Sequence, residues 1–175
     1  TKGQSKILME INKDIGSELR MFRLLQGDVG SGKTILALIT AANIIEINYQ
    51  VAFMAPTEIL AQQHYKLAIK LFKNSNINIE LFTGKTDFNK KKHILSDLQN
   101  GKINLLFGTH ALFQNKIKFL NLGFVIIDEQ HKFGVNQRIK LAKKGGKNCD
   151  LLLISATPIP RTMMLSFFGD MDISV

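Results

Sequence analysis

Short apolar runs alternate along the chain with longer stretches in which apolar residues recur at helical spacing. The short runs are followed by turn-forming residues and predict six β-strands, at residues 22–26, 51–55, 77–83, 104–107, 124–127 and 151–154. Two of the longer stretches, 33–47 and 58–72, predict amphipathic helices. This alternation predicts an α/β fold, a three-layer doubly wound parallel sheet with helices on both faces. Ligands are expected at the carboxyl ends of its strands.

The composition fits a single globular domain spanning residues 1–175. Hydrophobic residues make up 45% of the chain and charged residues 21%, which is enough apolar material for one core. Two polar segments, 74–78 and 143–148, are predicted to be surface loops and not domain boundaries. The chain lacks an initiator methionine, and residues 171–175 resemble the start of further structure. We therefore expect a domain excised from a longer protein.

Charge and cysteine content restrict the location and the partners. The sequence has no apolar stretch that could span a membrane, no secretory signal and one cysteine, Cys149, so a cytoplasmic location is predicted. The net charge of +9 suits a polyanion such as nucleic acid. Only four of the 23 basic residues are arginine, however, and an AT-rich coding bias would also produce such a lysine excess. The lysine runs at 90–92 and 140–147 are interpreted as solvated faces.

The segment between the first predicted strand and the first predicted helix matches the P-loop pattern. Glycines allow backbone N–H groups to turn toward a phosphate, and the helix N-terminus adds partial positive charge. The lysine of the pattern reaches the β- and γ-phosphates, and the hydroxyl that follows it binds Mg²⁺. A glycine-rich turn without function is the alternative. The segment consists of Gly27, Asp28, Val29, Gly30, Ser31, Gly32, Lys33 and Thr34.

Two adjacent carboxylates, Asp128 and Glu129, follow the apolar strand predicted at 124–127. Placing this pair at the end of a buried strand is costly unless it binds something. Asp128 suits a ligand of Mg²⁺, and Glu129 suits a base that orients and deprotonates an attacking water. An acidic turn at a strand end is the structural alternative. The P-loop earlier in the chain favours the catalytic interpretation.

His131 and the Ser-Ala-Thr segment at 155–157 narrow the class of nucleotide-binding protein. GTPases need an Asn-Lys-x-Asp motif, but the Asn-Lys-Asp at 12–14 precedes the P-loop and lacks the final aspartate. Small-molecule kinases need neither Asp-Glu-x-His nor Ser-Ala-Thr. Nucleic-acid motors of helicase superfamily 2 use both motifs, so this class is favoured.

Five strings closely resemble the first motor domain of the RecG helicase family: RLLQGDVGSGKT at 23–34, APTEILAQQH at 55–64, GTHAL at 108–112, DEQH at 128–131 and SATPIPRT at 155–162. The transcription-repair coupling translocase shares FGV at 133–135 and PIPRT at 158–162. The translocase usually has Phe in place of Ser31, Thr in place of Glu58 and Glu in place of Gln130, so all three positions favour the RecG family. Lys132 departs from the RecG pattern, which usually has Arg there, and lysine lacks the bidentate fork of arginine.

The resemblance implies a RecA-like P-loop NTPase domain with ATP-dependent DNA helicase activity and with ATP and Mg²⁺ as cofactors. In that pattern Lys33, Asp128 and Glu129 are catalytic, Thr34 and Asp128 hold Mg²⁺, and Gln4 reads the adenine edge. The resemblance also implies a network that couples ATP hydrolysis to the grip on DNA. The members of this network would be Gln130, His131, Ser155, Ala156 and Thr157. The alternative for His131 is a purely structural histidine whose hydrogen bonds are satisfied within the protein.

Candidate DNA contacts fall at three predicted strand ends, where superfamily 2 helicases grip the phosphate backbone with hydroxyls and N–H groups. Turn chemistry is the alternative, because Pro, Thr and Gly cap helices and form turns in many proteins. Their location at the carboxyl ends of strands favours DNA contact. The candidates are Pro56, Thr57, Thr83, Gly84, Gly108, Thr109 and His110.

The resemblance also implies the partners of the parent protein. They are branched, duplex and single-stranded DNA, a second RecA-like domain of the same chain, and single-strand-binding protein, in a monomeric, nucleoid-associated bacterial protein. The second domain would supply an arginine to the site, so residues 1–175 alone are expected to be nearly inactive. A nucleotide-dependent binding module without catalysis is the competing function. The presence of Glu129 argues against it, because a degenerate switch often lacks the base.

Overall fold

The computed structural model describes residues 2–15, 20–128, 149–157 and 172–174. These residues form a seven-stranded sheet in which all the described pairings are parallel. The strand order is β3-β4-β2-β5-β6-β1-β7. The strands are β1 (Phe22–Gln26), β2 (Gln50–Met54), β3 (Ile79–Phe82), β4 (Leu105–Gly108), β5 (Leu122–Asp128), β6 (Asp150–Ser155) and β7 (Asp172–Ser174).

Four helices and a short 3₁₀ turn accompany the described strands. Helix α3 begins at the N-cap Thr57, whose Oγ1 accepts the N–H of Leu60 at 3.3 Å. Helix α4 begins at Asp87, whose carboxylate accepts the N–H groups of Asn89 and Lys90. The helices are α1 (Lys2–Ile15), α2 (Lys33–Glu46), α3 (Glu58–Leu71) and α4 (Phe88–Gln99), and the 3₁₀ turn is His110–Phe113.

Apolar side chains cover both faces of the sheet, which is the arrangement of a doubly wound domain. Alternate residues of β2 show this division, since Ala52 and Met54 belong to one core cluster and Val51 and Phe53 to the other. Helices α1, α2 and α3 contribute to the second cluster and α4 to the first. The three-layer fold predicted from the sequence is confirmed.

The predicted elements lie within two residues of the observed ones at each end. The strand predicted at 22–26 has the same bounds as β1, whereas the strand predicted at 124–127 extends to residues 122–128 in β5. Helices α1 and α4, the 3₁₀ turn and β7 were not predicted from the sequence. The loop predicted at 74–78 lies between α3 and β3. The loop predicted at 143–148 lies outside the described residues. Among the helices of the described ranges, none is long and apolar enough to cross a bilayer.

The amino end of β6 contains a buried acid. Asp150 Oδ1 accepts the N–H of Met21 at 2.7 Å and thereby links the start of β6 to the residue before β1. Burial raises the pKa of Asp150 to about 6, while the Met21 N–H and the charge of Arg20 act in the opposite direction. The neighbouring thiol of Cys149 is also buried, and its pKa rises to about 12. This thiol therefore has little thiolate character near neutral pH.

Candidate nucleotide-binding site

The P-loop joins β1 to α2 at the carboxyl edge of the sheet. Gly30 and Gly32 have φ angles of 85° and 87°, a left-handed region that favours glycine. A Cβ on Gly32 would lie 2.6 Å from Nε2 of Gln4, so the amide of Gln4 would have to shift to make room for a side chain there. Gly32 is the N-cap of α2 and has no side chain with which to cap the helix. The helix N-terminus therefore presents its partial positive charge beside the loop.

The ammonium group of Lys33 lies inside this loop. Its Nζ donates to the carbonyl oxygens of Gly27 and Asp28, each at 2.6 Å, and lies 3.4 Å from Oγ of Ser31. Thr34 follows in the first turn of α2 and is partly buried. A positive charge, a helix N-terminus and a hydroxyl thus converge on the space around the loop. These are the groups that a phosphate and its Mg²⁺ require.

Helix α1 lies against the P-loop through Gln4. Nε2 of Gln4 donates to the carbonyl of Ser31 at 2.9 Å, which brings the expected adenine-reading residue to the loop. Between α1 and α2 is a groove of about 240 Å³ with a mixed amide and apolar lining. The lining residues are Gln4, Ser5, Leu8, Gly32, Ile35, Leu36 and Ile39.

A buried arginine in β1 holds α1 in this position. The guanidinium of Arg23 pairs with Asp14 and lies 3.5 Å from Glu10, both on α1. It also donates to Oγ of Ser174 in β7 at 2.6 Å. The arginine is only 7% exposed, so these partners compensate for the burial of its charge. No role for Arg23 was predicted from the sequence.

Asp128 lies at the carboxyl end of β5, where it is 8% exposed. Its Oδ2 lies 2.7 Å from Nε2 of His64 on α3. Strand β6 separates β5 from the P-loop strand β1, so the spacing between β5 and β1 is about 10 Å. Carboxylate and hydroxyl oxygens are ligands that Mg²⁺ accepts, and Asp128 and Thr34 fit that requirement.

The Ser-Ala-Thr segment begins at the last residue of β6, which lies between the strands of the P-loop and of Asp128. Oγ of Ser155 accepts the N–H of Thr157 and lies 3.2 Å from its hydroxyl. The carbonyl of Ser155 accepts the N–H of Gly27 at 3.3 Å, and Nε2 of Gln26 donates to the carbonyl of Thr157 at 3.2 Å. Ala156 lies between them. The segment is therefore bonded directly to the start of the P-loop.

The candidate DNA contacts lie at the ends of the other three neighbouring strands. β3, β4 and β2 are adjacent in the sheet, so the segments that follow them lie side by side at its carboxyl edge. Glu58 ties two of these segments together, because its Oε1 accepts the N–H of Lys85 at 3.3 Å. The third segment, which follows β4, is joined to the end of β2 because the carbonyl of Gly108 accepts the N–H of Ala55 at 2.9 Å.

Burial changes which of these residues can contact a ligand. Thr83 and Thr109 are 3% and 2% exposed, so their hydroxyls do not reach the surface, contrary to what was predicted for residues that grip a phosphate. Gly84 and His110, which were predicted as contacts alongside them, are exposed. Thr57 is exposed but caps α3, so the turn chemistry considered as its alternative is present. A Cβ on Gly108 would lie 2.5 Å from the carbonyl oxygen of Phe82, which explains the glycine there. Pro56 is partly buried beside them.

Three predicted site residues, Glu129, Gln130 and His131, lie outside the described residues, as does the atypical Lys132. His64 was not predicted as a site residue, although it lies in the segment 55–64 that resembles the RecG family. A histidine at the seventh helical position of α3 gives no local signal of contact with a carboxylate 64 residues further along the chain.

The fold and the site together define a RecA-like P-loop NTPase domain of the helicase type. The chain belongs to the DEAD/DEAH box helicase family, whose model matches residues 1–165. Solved structures with low sequence identity share the fold, for example the DEAD-box helicase Mss116 bound to single-stranded RNA, at a TM-score of 0.75 and 21% identity.

Within this family the chain is similar to RecG proteins along its whole length. It is 51% identical to the ATP-dependent DNA helicase RecG of Aquifex aeolicus and 49% identical to that of Bacillus subtilis, over 100% of its length in both cases. A solved structure of RecG bound to a three-way DNA junction matches with a TM-score of 0.86 and 47% identity over 99% of the chain. The chain spans only 22% and 26% of the two relatives and 23% of the solved chain.

Proposed function

We propose that this chain is the ATP-binding motor domain of a RecG-type DNA helicase that acts on branched DNA such as forks and junctions. The proposal rests on the position of the nucleotide loops and the candidate DNA loops, which lie along one edge of the sheet. The P-loop, the Ser-Ala-Thr segment and Asp128 occupy neighbouring strands β1, β6 and β5. The candidate DNA loops follow the next three strands, β2, β4 and β3. A motor needs a nucleotide site and a nucleic-acid site on one rigid body.

ATP and Mg²⁺ are the cofactors that the geometry supports. Lys33 and the N-terminus of α2 would bind the phosphates, and the groove between α1 and α2 suits a flat nucleobase whose edge meets the amide of Gln4. Thr34 and Asp128 would hold Mg²⁺, which neutralises developing charge on the phosphoryl group when it is bound. We assign to Glu129 the role of orienting the attacking water and accepting its proton.

The DNA partner is inferred from the exposed loop residues and from the RecG relatives. Thr57, Gly84 and His110 offer a hydroxyl, a backbone and an imidazole beside a chain of net charge +9. Contacts of this kind bind phosphates and carry no sequence information, which suits an enzyme that recognises branch shape. We further propose a second RecA-like domain in the parent chain, a cytoplasmic, nucleoid-associated location, and single-strand-binding protein as a partner.

The test is an ATPase assay of the full-length protein with fork, duplex and single-stranded DNA, alongside Lys33→Ala as the inactive control. We expect fork DNA to raise turnover the most, and Lys33→Ala to abolish turnover with every DNA. ATP binding without DNA-stimulated turnover would favour the nucleotide-dependent binding module instead. Absence of ATP binding in the wild-type protein would contradict both functions.

A further inference from the structure

A histidine on α3 contacts the candidate metal ligand across the sheet edge. Nε2 of His64 lies 2.7 Å from Oδ2 of Asp128, and the side chains are only 12% and 11% exposed. A carboxylate can only accept, so the Nε2–H of the imidazole donates this hydrogen bond. Bonds of this kind to a charged acceptor are among the stronger ones in proteins. Asp128 is therefore oriented by a residue from outside its own strand.

The imidazole ring is itself held in place by aromatic packing. Its centroid lies 4.9 Å from that of Phe53 on β2, and Phe53 stacks at 5.0 Å on Phe107 of β4. Both phenylalanines are fully buried, so the surface beneath the imidazole is rigid. Moving the ring away from Asp128 would break this contact. The position of the ring is thus set by the buried core, and the hydrogen bond to Asp128 sets which edge of the ring faces the carboxylate.

We propose that His64 is a positioning residue for the metal site, whose Nε2–H sets the direction in which Asp128 presents its carboxylate to Mg²⁺. This rests on the proposed function, because it takes Asp128 to be a ligand of Mg²⁺. Ligating carboxylates are commonly hydrogen-bonded by a second group, and loss of that group weakens metal binding by about 10- to 100-fold. Helix α3 also begins at Thr57, so one rigid element carries this donor and a candidate DNA contact.

Three substitutions separate the hydrogen bond from simple packing. His64→Phe keeps an aromatic ring against Phe53 but places a carbon where the N–H was. His64→Gln loses the ring but can place an amide N–H near the position of Nε2. His64→Asn has the same chemistry as His64→Gln with a shorter reach, nearer the position of Nδ1, and cannot make the bond to Asp128.

The experiment is a Mg²⁺ titration of nucleotide binding by the full-length protein, followed with a fluorescent non-hydrolysable ATP analogue. The affinity for the same analogue is also measured in EDTA. We expect His64→Phe to raise the Mg²⁺ concentration at half-saturation by about 10- to 100-fold. The affinity in EDTA should stay unchanged. His64→Gln should remain close to wild type, and circular dichroism checks that each variant is folded.

A wild-type Mg²⁺ midpoint in His64→Phe would overturn the positioning role, as would equal losses of affinity with and without Mg²⁺, which indicate packing alone. If His64→Phe fails to fold, the comparison of His64→Asn with His64→Gln tests the positioning role instead. A shifted midpoint in His64→Asn but not in His64→Gln supports the role, and equal midpoints contradict it. A wild-type protein whose nucleotide binding does not respond to Mg²⁺ would instead refute the proposed function, and the inference with it.

Discussion

The substitution Asp150→Asn tests the energetics of the buried acid at the start of β6. Asn retains a carbonyl oxygen that can accept the N–H of Met21, so the hydrogen bond observed at 2.7 Å can persist. The substitution also removes the negative charge of the carboxylate, which is costly to bury. The side chain belongs to a residue that is only 9% exposed, so the penalty is not screened away by solvent.

The magnitude follows from the pKa of Asp150, which burial raises from 3.8 to about 6. Each unit corresponds to about 1.36 kcal/mol, so the shift amounts to about 3 kcal/mol. The folded state binds the proton more tightly than the unfolded state. The contribution of Asp150 to stability is therefore complete below about pH 4 and is lost as the pH rises through about 6. Above that range the wild-type chain must keep a buried carboxylate charged, and the variant does not.

The assay is urea unfolding of both chains between pH 4 and pH 8, followed by circular dichroism. We expect the unfolding free energy of Asp150→Asn, relative to wild type, to rise by up to about 3 kcal/mol between about pH 4 and pH 7. A constant offset from the substitution itself does not affect this slope. Asp97→Asn, which changes a more exposed carboxylate, is the control for the loss of one charge. A difference independent of pH, or one that falls as the pH rises, would refute the reasoning.

Three further predictions concern the site. Lys33→Ala should abolish binding of a fluorescent ATP analogue while the circular dichroism spectrum stays unchanged, because the ammonium lies inside the loop and not in the core; unchanged affinity would contradict the P-loop assignment. In the full-length protein, Glu129→Gln should still bind Mg-ATP while turnover falls about 100-fold or more, and normal turnover per bound ATP would show that Glu129 is not the base. Gly108→Ala should lower the unfolding free energy by about 2 to 3 kcal/mol in urea titrations, because a Cβ there would lie 2.5 Å from a backbone oxygen of β3; a loss below about 0.5 kcal/mol would mean that the strands separate at little cost.

Helices α1 and α4 were not predicted, although the sequence contains apolar spacing that indicates both and a capping residue at the start of α4. Helix α1 has apolar residues at Ile7, Leu8, Ile11 and Ile15, which is helical spacing, but only Ile11 is buried among them. Helix α4 has the N-cap Asp87 and the pair Ile94 and Leu98, yet its three lysines suggested only a solvated face. Both helices are at least as amphipathic as the two that were predicted, so the periodic signal is present in the sequence, but their low mean hydropathy makes it less conspicuous.

The sequence by itself determined the local parts of this protein. The P-loop could be predicted because glycines, a lysine and a hydroxyl at fixed spacing act within one strand-loop-helix unit, and the structure has that unit at Phe22–Gln26 and Lys33–Glu46. The strands could be predicted because those buried on both faces contain continuous apolar runs, as residues 51–54 of β2 and 124–127 of β5 do. Their ends differ from the predicted ones by up to two residues, since the last residues depend on pairing.

Only the tertiary structure decided which distant residues meet. The insertion of β6 between the strands of the P-loop and of Asp128 arises from pairing between segments far apart in the chain, and no local pattern encodes it. The same holds for the contact of His64 with Asp128 and for the attachment of α1 by Arg23. Burial of Thr83 and Thr109 also emerged only there. The physical reason is that hydrogen-bond partners and solvent exposure are properties of the packed chain, whereas glycine conformation and apolar periodicity are properties of its segments.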